Sequence, residues 1–303
     1  MSIQADEAGT RLDRYLTFVL TGVSRTTIQQ LIVGGEVLVN GHTGKSGYTL
    51  RIGDEVQVMS LNMHDKAINI KPQSLPLDII YEDQDLLVVN KAAGMVVHPA
   101  PGHHDDTLVN ALIARYPDIQ SEDSEQRPGI IHRLDKDTSG LIIVARNVAT
   151  HSALADQMKR HEIAKRYLAL VEGVVAFDQG SIDAPIGRNP RHRQQMAITV
   201  VKSRAARTHF RVQERFDRHT LLLLELETGR THQIRVHLKA IGHPIVGDPI
   251  YGSGSINRAS TLKRQFLHAY QLKFTHPTTG NVVNLEAPLP EDLQALLDRK
   301  SFL

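Results

Sequence analysis

The stretch from His132 to Gly140, with the sequence His-Arg-Leu-Asp-Lys-Asp-Thr-Ser-Gly, has the residue types needed to present a reactive carboxylate. It lies between the apolar pair Ile130-Ile131 and an apolar run at 141–144, which indicates a short connection between two strands. A scaffold can direct polar side chains outward from such a connection without losing its own packing. The same residue types also suit an ordinary turn, because Asp and Ser side chains bond nearby backbone amides. The residues of this stretch alone leave both interpretations open.

A second polar stretch, from Glu227 to Leu238, predicts a helix. Thr231 is placed to cap its N-terminus, and Gly242 is placed to end it. The apolar face of this helix is expected to consist of Ile234, Leu238 and Ile241.

Arg235 lies beside that apolar face, because Leu238 is its neighbour one turn later. A half-buried arginine needs an acidic partner, since an unpaired charge near a core is costly. Asp135 is the first candidate for this partner. Glu225, Glu227 or a backbone carbonyl would serve equally well on sequence grounds.

His232 and His237 in the same stretch raise the question of a metal site. Their spacing is five residues, whereas a helical zinc pair has a spacing of four. The sequence therefore predicts no metal here.

The elements that position these stretches fall into a small and a large unit. In the first sixty residues, two amphipathic helices are predicted, the second capped by Ser24 and ended by Gly34-Gly35. A small hairpin sheet should follow, because the hydrophobic period changes to two around a turn at Asn40-Gly41. Its alternating apolar residues are Val37, Val39, Tyr48, Leu50, Ile52, Val56 and Val58. Residues 59–75 lose clear periodicity and are expected to form a mobile linker.

From residue 76 to 303 strands and helices mix without the rhythm of a parallel barrel. Runs of neighbouring strands joined by short turns favour an α+β fold with a mixed, mostly antiparallel central sheet and flanking helices and loops. Strands are predicted at 86–90, 167–171, 209–212 and 221–226, and helices near 108–113 and 149–158.

Composition limits the class of protein. The chain has 303 residues, 41% of them hydrophobic, which suits one large domain and a small one. It contains no cysteine, which excludes disulfides, thiolate nucleophiles and cysteine zinc sites. The N-terminus lacks the regions of a secretion signal, and no stretch approaches the roughly 20 apolar residues that span a bilayer. We therefore expect a globular, cytoplasmic protein that does not enter a membrane.

The net charge is only +2, so any nucleic-acid binding must come from local basic clusters. One cluster surrounds the small unit, and a second lies in segment 187–202, whose first half is expected to be an exposed loop. Each can contact a phosphate backbone or merely form a solvated surface. The clusters consist of Arg11, Arg14, Arg25, Lys45 and Arg51 in the small unit and of Arg188, Arg191, His192 and Arg193 in the segment.

Three stretches, in this order, resemble the signature motifs of the RluA-type pseudouridine synthases. They are residues 127–141 around Asp135, Lys165-Arg166-Tyr167-Leu168, and Gly229 to His237. The likeness extends to Val97-His98-Pro99 before the first motif and to residues 242–248 after the third. Residues 9–58 resemble the RNA-binding module of the fourth protein of the small ribosomal subunit. Together the layout is similar to the D-type, large-subunit ribosomal RNA branch of the family.

The resemblance implies a pseudouridine synthase fold at 76–303, a small α/β RNA-binding module at 9–58, and isomerisation of uridine in RNA. In that reaction the bond from ribose C1′ to uracil N1 breaks, the base turns, and C5 joins C1′. One carboxylate suffices, whereas glycoside hydrolysis usually needs two. The resemblance makes Asp135 the catalytic aspartate, as nucleophile or as general base, Tyr167 the tyrosine that stacks on a flipped uracil, and Arg235 the partner of Asp135.

The remaining residues of the expected site bind the substrate or hold the loop. Arg133 is suited to fill the space of the flipped base, while His132 and Asp137 are expected to hold the loop by hydrogen bonds. The full set of expected substrate-binding residues is Arg133, His132, Thr231, Ile234, Arg11 and Arg25. No cofactor is implied, because the reaction is redox-neutral.

The expected partner is structured RNA, either ribosomal RNA or a pre-ribosomal particle, and the chain is expected to be a monomer. The same chemistry on transfer RNA is an alternative. Two other classes share part of the pattern. A non-catalytic RNA-binding protein would not need Asp135, Tyr167 and Arg235 together. A nucleoside or glycoside hydrolase would be expected to show a second acidic catalyst or an Asp-rich metal site.

Overall fold

The computed structural model describes residues 4, 7–20, 23, 25–59, 70–99, 105–119, 128–192, 195–252 and 262–299. The chain divides into two compact units, residues 1–69 and residues 70–303. Each unit is described by itself.

The first unit consists of two helices and a three-stranded sheet. Helices α1 (Leu12–Val19) and α2 (Arg25–Gly34) precede strands β1 (Val37–Val39), β2 (His42–Thr43) and β3 (Val56–Val58). The sheet is antiparallel with the order β2-β1-β3. The turn between β1 and β2 lies at Asn40-Gly41, as predicted, with φ values of 53° and 76°. Two successive positive φ angles match the type I′ turn, which twists in the same sense as a hairpin.

Two details of this unit differ from the prediction or lie outside it. Residues 48–52 were predicted to resume a strand, but Thr49 makes only an isolated bridge to Arg11, and Ile52 is 71% exposed. The turn at 52–53 ends the alternation there, so this prediction was wrong. Ser24, the predicted cap of α2, lies outside the described residues.

The expected linker at 59–75 lies across the boundary between the units. Residues 60–69 lie outside the described residues. Residues 70–75 belong to the second unit. Ile70 is buried, the Lys71 carbonyl accepts a hydrogen bond from Asn110 Nδ2 (2.9 Å), and the Gln73 amide donates to the Asn110 carbonyl (3.0 Å). These residues are held by side chain and backbone contacts, so the expectation of a linker is wrong for 70–75.

The second unit is built on a large sheet. Its strands are β4 (Ile79–Glu82), β5 (Leu86–Lys91), β6 (Ser139–Ala145), β7 (Ala164–Glu172), β8 (Gln179–Asp183), β11 (Arg207–Arg215), β12 (His219–Leu226), β13 (Leu267–Thr275) and β14 (Val282–Glu286). Strands β9 (Ile186–Arg188) and β10 (Met196–Ile198) lie between β8 and β11 in the chain and form a separate two-stranded sheet. The strand order is β4-β5-β6-β13-β7-β12-β11-β8, and β14 pairs with β13. Among the described strands only β6 and β13 pair in parallel. The predicted mixed, mostly antiparallel sheet is confirmed.

Strand β6 lies inside the core on both faces, because all seven of its residues are buried. Ile142 and Val144 pack into one apolar cluster, and Leu141, Ile143 and Ala145 pack into another on the opposite face. Continuous apolar sequence is typical of such a doubly covered strand. The polar stretch that ends at Gly140 is therefore attached to one of the most firmly held elements of the unit.

Helices α3 (Leu108–Arg115), α4 (Val148–Lys159), α5 (Gln233–Ala240) and α6 (Glu291–Asp298) accompany the sheet. Thr107 and Asn110 form a capping box at the start of α3. The start of α5 differs from the prediction, because His232 and not Thr231 is its N-cap, in a left-handed conformation with φ 55°. Ile241 is 38% exposed, so it does not extend the buried face of α5 as expected.

Segment 187–202 contains the expected basic loop and, on either side of it, two strands that were not predicted. Strands β9 and β10 pair antiparallel, with Met196 opposite Arg188 and Ile198 opposite Ile186. The loop expected in the first half of the segment forms the tip of this hairpin, where Arg191 and His192 are exposed. Arg193 lies outside the described residues.

Within the described part of the chain, no helix is long and apolar enough to cross a membrane.

Candidate active site

The loop that carries Asp135 is fixed at the point where it enters β6. The Thr138 amide donates to the Asp135 carbonyl (3.1 Å), which closes a turn. Gly140 follows with φ 113°, and a Cβ atom at this residue would lie 2.3 Å from the Ala269 carbonyl oxygen in β13. Only glycine allows this close approach of two backbones. The position of Asp135 is therefore set by the packing of β6 against β13.

Helix α5 brings Arg235 between two carboxylates. Arg235 Nη1 donates to Asp135 Oδ2 at 3.0 Å, which is the contact predicted from the sequence. Its Nε and Nη2 donate to the two oxygens of Asp248 at 2.7 and 2.9 Å. The alternatives Glu225 and Glu227 pair elsewhere, with Arg166 and with Arg207. The guanidinium thus holds Asp135 with one nitrogen and is itself anchored through the other two.

Asp248 is the anchor that sequence reasoning missed as a partner. Its side chain is fully buried, and its Oδ1 also accepts the amides of Ile250 (2.9 Å) and Tyr251 (3.0 Å). Burial alone would raise the pKa of this carboxyl, but the hydrogen bonds and charge of Arg235 outweigh burial and lower it. The sequence feature that could have indicated this role is that Asp248 is the single acidic residue in the stretch 242–248, which also resembles the family.

A cavity of about 600 Å³ opens at this point. It brings together seven of the residues predicted for the site, which are His132, Arg133, Asp135, Tyr167, Thr231, Ile234 and Arg235. The volume lies within the range of about 300–1,000 Å³ that holds small ligands. Arg11 and Arg25 belong to the first unit and are not part of this cavity.

Strand β7 supplies two further side chains to one wall of the cavity. Tyr167 and Lys165 are two residues apart, so they lie on the same face of the strand, and both are buried. Burial and the charge of Asp135 raise the pKa of Tyr167, which keeps its phenol neutral. Burial lowers the pKa of Lys165 to about 8. Lys165 Nζ lies 3.6 Å from Met158 Sδ, a weak acceptor.

His132 has the loop-holding contact expected from the sequence. Its Nε2 accepts the Ile143 amide at 3.0 Å, which ties the loop to β6. Burial, together with the charge of Lys165, lowers the pKa of His132 to about 3, so the ring is neutral. Arg133 is exposed at the cavity. Asp137 helps to hold the turn through its backbone, because its carbonyl oxygen accepts a hydrogen bond from Arg264 Nη1 at 3.2 Å.

Lys91 is a second loop-holding residue, and sequence reasoning did not single it out. It is 1% exposed, and its Nζ donates to the carbonyls of Ala92 (2.8 Å), Met95 (2.9 Å) and Lys136 (3.0 Å). Burial lowers its pKa to about 7, although Asp137 and Asp135 oppose the change. A buried amino group thus holds the loop next to Asp135 through three carbonyl oxygens.

The two histidines of the third motif have protein partners. His237 is fully buried, and its nitrogens lie 2.9 Å from Thr208 Oγ1 and 2.9 Å from the Ala184 carbonyl. His232 Nδ1 lies 2.9 Å from Tyr251 Oη, and its Nε2 lies 3.9 Å from Asp135 Oδ2. Of the two, only His232 faces the cavity.

In the first unit, a buried carboxylate organises the two predicted arginines. Asp13 is fully buried and accepts from Arg11 Nε (3.1 Å), Arg25 Nη2 (2.7 Å) and Gln29 Nε2 (2.9 Å). Burial would raise the pKa of Asp13, but these hydrogen bonds outweigh it and lower the pKa. Both arginine side chains remain about half exposed, at 49% and 51%. Their guanidinium groups are therefore held in place at the surface.

Comparison with known proteins identifies the family. Residues 85–240 match the RNA pseudouridylate synthase family, and residues 10–56 match the S4 domain. The chain is 46% identical over 293 residues to the RNA pseudouridine synthase YlyB of Bacillus subtilis, covering 97% of this chain and 95% of the relative. The chain therefore belongs to the RNA pseudouridylate synthase family. It is an isomerase that converts uridine in RNA to pseudouridine, as the resemblance implied.

Two other relatives carry a more specific name. The ribosomal large subunit pseudouridine synthase D of Xanthomonas campestris is 43% identical over 300 residues, covering 96% of this chain and 88% of the relative. That of Escherichia coli is 40% identical over 307 residues, covering 98% and 92%. Among solved structures, human RNA pseudouridylate synthase domain containing 1 superposes with a TM-score of 0.60 at 33% identity, covering 74% of this chain and 89% of that chain.

Proposed function

We propose that the chain isomerises uridines of large-subunit ribosomal RNA, with Asp135 as its catalytic residue. Relatives named for the ribosomal large subunit match almost the whole chain at 43% and 40% identity, which favours this substrate over transfer RNA. The observation that supports the role of Asp135 is its placement in the cavity that Tyr167 also lines, with Arg235 Nη1 3.0 Å from Asp135 Oδ2.

The chemistry requires one carboxylate that is held but not blocked. Arg235 contacts Oδ2, so Oδ1 is the oxygen that this contact leaves available. Asp135 can attack C1′ as a nucleophile, so that uracil departs as an anion and later displaces the carboxylate through C5. Alternatively, it can remove the 2′ proton as a general base while uracil departs as an anion, and return that proton to C2′ when C5 bonds to C1′. In both routes the C5 hydrogen is lost and N1 gains a proton, which balances the isomerisation.

Tyr167 is proposed to stack on the target uracil. A base that is stacked inside an RNA helix cannot reach the cavity, so the target nucleotide must be flipped out. Arg133, which lines the cavity, can occupy the space that the flipped base leaves in the RNA. The raised pKa of Tyr167 disfavours a phenolate and supports stacking as its main contribution. His132 and Ile234 would contact the nucleotide as parts of the cavity wall, and Thr231 at the loop before α5 would do the same.

The first unit is proposed to bind structured RNA through its basic surface. Arg11 and Arg25 are oriented in advance by Asp13, which reduces the entropy lost on binding a phosphate. Phe18 is 85% exposed and lines one surface depression with Arg14 and Arg25. An exposed aromatic ring between arginines is suited to stack on an unpaired base.

The RNA-binding proposal is tested with Arg14→Ala and Phe18→Ala in the full chain, because neither side chain neutralises buried Asp13. Each variant should weaken affinity for a ribosomal RNA fragment, by about 1–3 kcal/mol for the stacking residue, and Arg14→Ala should reduce the salt dependence of binding. Val33→Ala, an 82% exposed residue of α2, is the matched control and should bind like the wild type. Unchanged affinity in both test variants would contradict the proposal.

The substrate is tested by mapping pseudouridines in RNA from cells that lack the chain. Large-subunit ribosomal RNA should lose specific pseudouridines, wild-type chain should restore them, and Asp135→Asn should not. Loss confined to transfer RNA would establish the alternative substrate instead. Three expectations stay predictions: that the chain is a monomer, that it works on ribosomal RNA or a pre-ribosomal particle, and that it is cytoplasmic. Light scattering of the purified chain tests whether it is a monomer.

A further inference from the structure

Tyr251 connects the β9–β10 hairpin to the candidate active site. It is 4% exposed and packs with Ile186 of β9, Met196 of β10 and Val236 of α5. Its backbone amide donates to Asp248 Oδ1 at 3.0 Å, and the Arg235 guanidinium carbon lies 5.1 Å from the centre of its ring. The residue therefore contacts the anchor of Arg235 from one side and the hairpin from the other.

The hydroxyl of Tyr251 links the hairpin to His232. The Met196 amide donates to Tyr251 Oη at 2.8 Å, and Oη lies 2.9 Å from His232 Nδ1. We assign the phenol hydrogen to Nδ1, because the reverse assignment, with Nδ1 donating, would leave this buried hydrogen without an acceptor among the contacts of the described residues. A histidine that accepts at Nδ1 carries its hydrogen at Nε2. The tyrosine thus selects the tautomer of His232.

The selected tautomer directs an N–H group at Asp135. His232 Nε2 lies 3.9 Å from Asp135 Oδ2, and both side chains face the cavity. This distance exceeds that of a hydrogen bond, and a small closure of the site on its substrate would complete the contact. Burial lowers the pKa of His232 although Asp135 opposes it, and burial raises the pKa of Tyr251. Both groups are therefore neutral, and the arrangement adds no charge beside Arg235.

The backbone of His232 supports a functional reading of this contact. It is left-handed, with φ 55°, at a position where a helix N-cap normally has an extended conformation. Such strained residues cluster at functional sites, where the surrounding structure holds them. The residue that follows, Gln233, is itself held in place, because its side-chain oxygen accepts hydrogen bonds from Arg230 N (3.0 Å) and Thr228 Oγ1 (2.8 Å).

We propose that Tyr251 and His232 are positioning residues for Asp135: Tyr251 orients His232, whose Nε2–H holds the Asp135 carboxylate in place as the substrate binds. This inference rests on the proposed catalytic role of Asp135. It also ties the carboxylate to the basic hairpin, because β10 supplies the amide that holds Tyr251.

Three full-length variants test the proposal in a single-turnover assay of pseudouridine formation. Tyr251→Phe removes the hydroxyl and keeps the ring, and His232→Asn removes the Nε2–H while asparagine tolerates the left-handed backbone. Each should lower the rate at saturating enzyme about tenfold, the effect of one lost hydrogen bond, with RNA affinity within twofold. The double variant should be no slower than the slower single variant, because both changes break the same contact.

Tyr81→Phe is the matched control, because Tyr81 Oη also makes a hydrogen bond, to Asp83 at 2.6 Å, but lies outside the cavity. Its rate should equal that of the wild type. Wild-type rates in both single variants, or rate losses that multiply in the double variant, would overturn the proposal. Asp135→Asn in the same assay separates the two hypotheses. Activity in that variant refutes the proposed function, whereas an inactive Asp135→Asn with an unaffected Tyr251→Phe refutes the positioning role alone.

Discussion

The same substitution should destabilise the fold to very different extents at the two carboxylates that bind Arg235. Asp248 is fully buried and binds the guanidinium with both oxygens, whereas the Asp135 side chain is 19% exposed and binds it with one. Asp248→Asn would place an amide N–H group against the buried cation. Removing one partner of a buried ion pair costs about 3–5 kcal/mol. Asp135→Asn leaves the Asp248 pair intact and keeps an acceptor, so its cost should stay within about 1 kcal/mol.

The difference is measured by thermal unfolding of the full chain. The chain contains no tryptophan, so far-ultraviolet circular dichroism and calorimetry are the suitable probes. For a unit of this size, about 2–4 °C is expected per kcal/mol, so Asp248→Asn should lower Tm by about 6–20 °C and Asp135→Asn by less than about 4 °C. The transition of the second unit is the one that should move.

Asp292→Asn is the matched control for burial. Asp292 also binds an arginine with both oxygens, Arg264 at 2.6 and 2.8 Å, but its side chain is 47% exposed. Its substitution should cost about 1 kcal/mol or less, because exposed ion pairs contribute little. Equal destabilisation by Asp248→Asn and Asp135→Asn would refute the assignment of Asp248 as anchor and of Asp135 as the carboxylate left available for chemistry.

Two further predictions concern the loop and the cavity wall. Gly140→Ala should destabilise the second unit by several kcal/mol in thermal unfolding, because the added Cβ would lie 2.3 Å from the Ala269 carbonyl at a φ of 113°. Lys165→Met should stabilise the fold at pH 7 by up to about 3 kcal/mol. Burial lowers the pKa of Lys165 to about 8, so keeping this lysine charged at pH 7 costs the folded state free energy that the unfolded state does not lose. The gain should fade between pH 8 and the unfolded pKa of about 10.4, since folded Lys165 is neutral there while the unfolded lysine is still charged.

Each of these has its own control. Gly229→Ala, where the structure leaves open space around the added carbon, should unfold like the wild type; a Gly140→Ala protein as stable as Gly229→Ala would contradict the close approach of β6 and β13. Lys159→Met removes a lysine whose side chain is 77% exposed and should have little effect at any pH. A Lys165→Met gain that persists at pH 11 would show that the stabilisation comes from packing and not from the removed charge.

The sequence predicted the local parts of this structure well. The strands at 86–90 and 167–171, the hairpin turn at Asn40-Gly41 and the helices near residues 108 and 149 depend on periodicity and turn residues, and the structure contains them. Arg235 could be placed beside a carboxylate because its position on a helix face makes an unpaired charge costly.

The parts that could not be predicted depend on contacts between distant segments. Asp248 follows Arg235 by thirteen residues beyond the end of α5, and no periodicity indicates that the chain turns back to it. The N-cap of α5 moved to His232 because Gln233 and Tyr251 hold the preceding loop, so the intrinsic preference of Thr231 did not decide it. In segment 187–202 the basic residues indicated the exposed loop of the first half, but not the strand pairing of Arg188 with Met196 and the packing of Met196 near Tyr251 that make this loop the tip of a hairpin.

The proposed function requires that Asp135 performs the chemistry and that Asp137, two residues later, does not. Its most direct test is the release of label from C5 of uridine in ribosomal RNA, measured in single turnover with Asp135→Asn and Asp137→Asn enzymes in excess. We expect no release with Asp135→Asn, at an RNA affinity within about threefold of the wild type, and substantial release with Asp137→Asn. Release at a comparable rate by Asp135→Asn would contradict it.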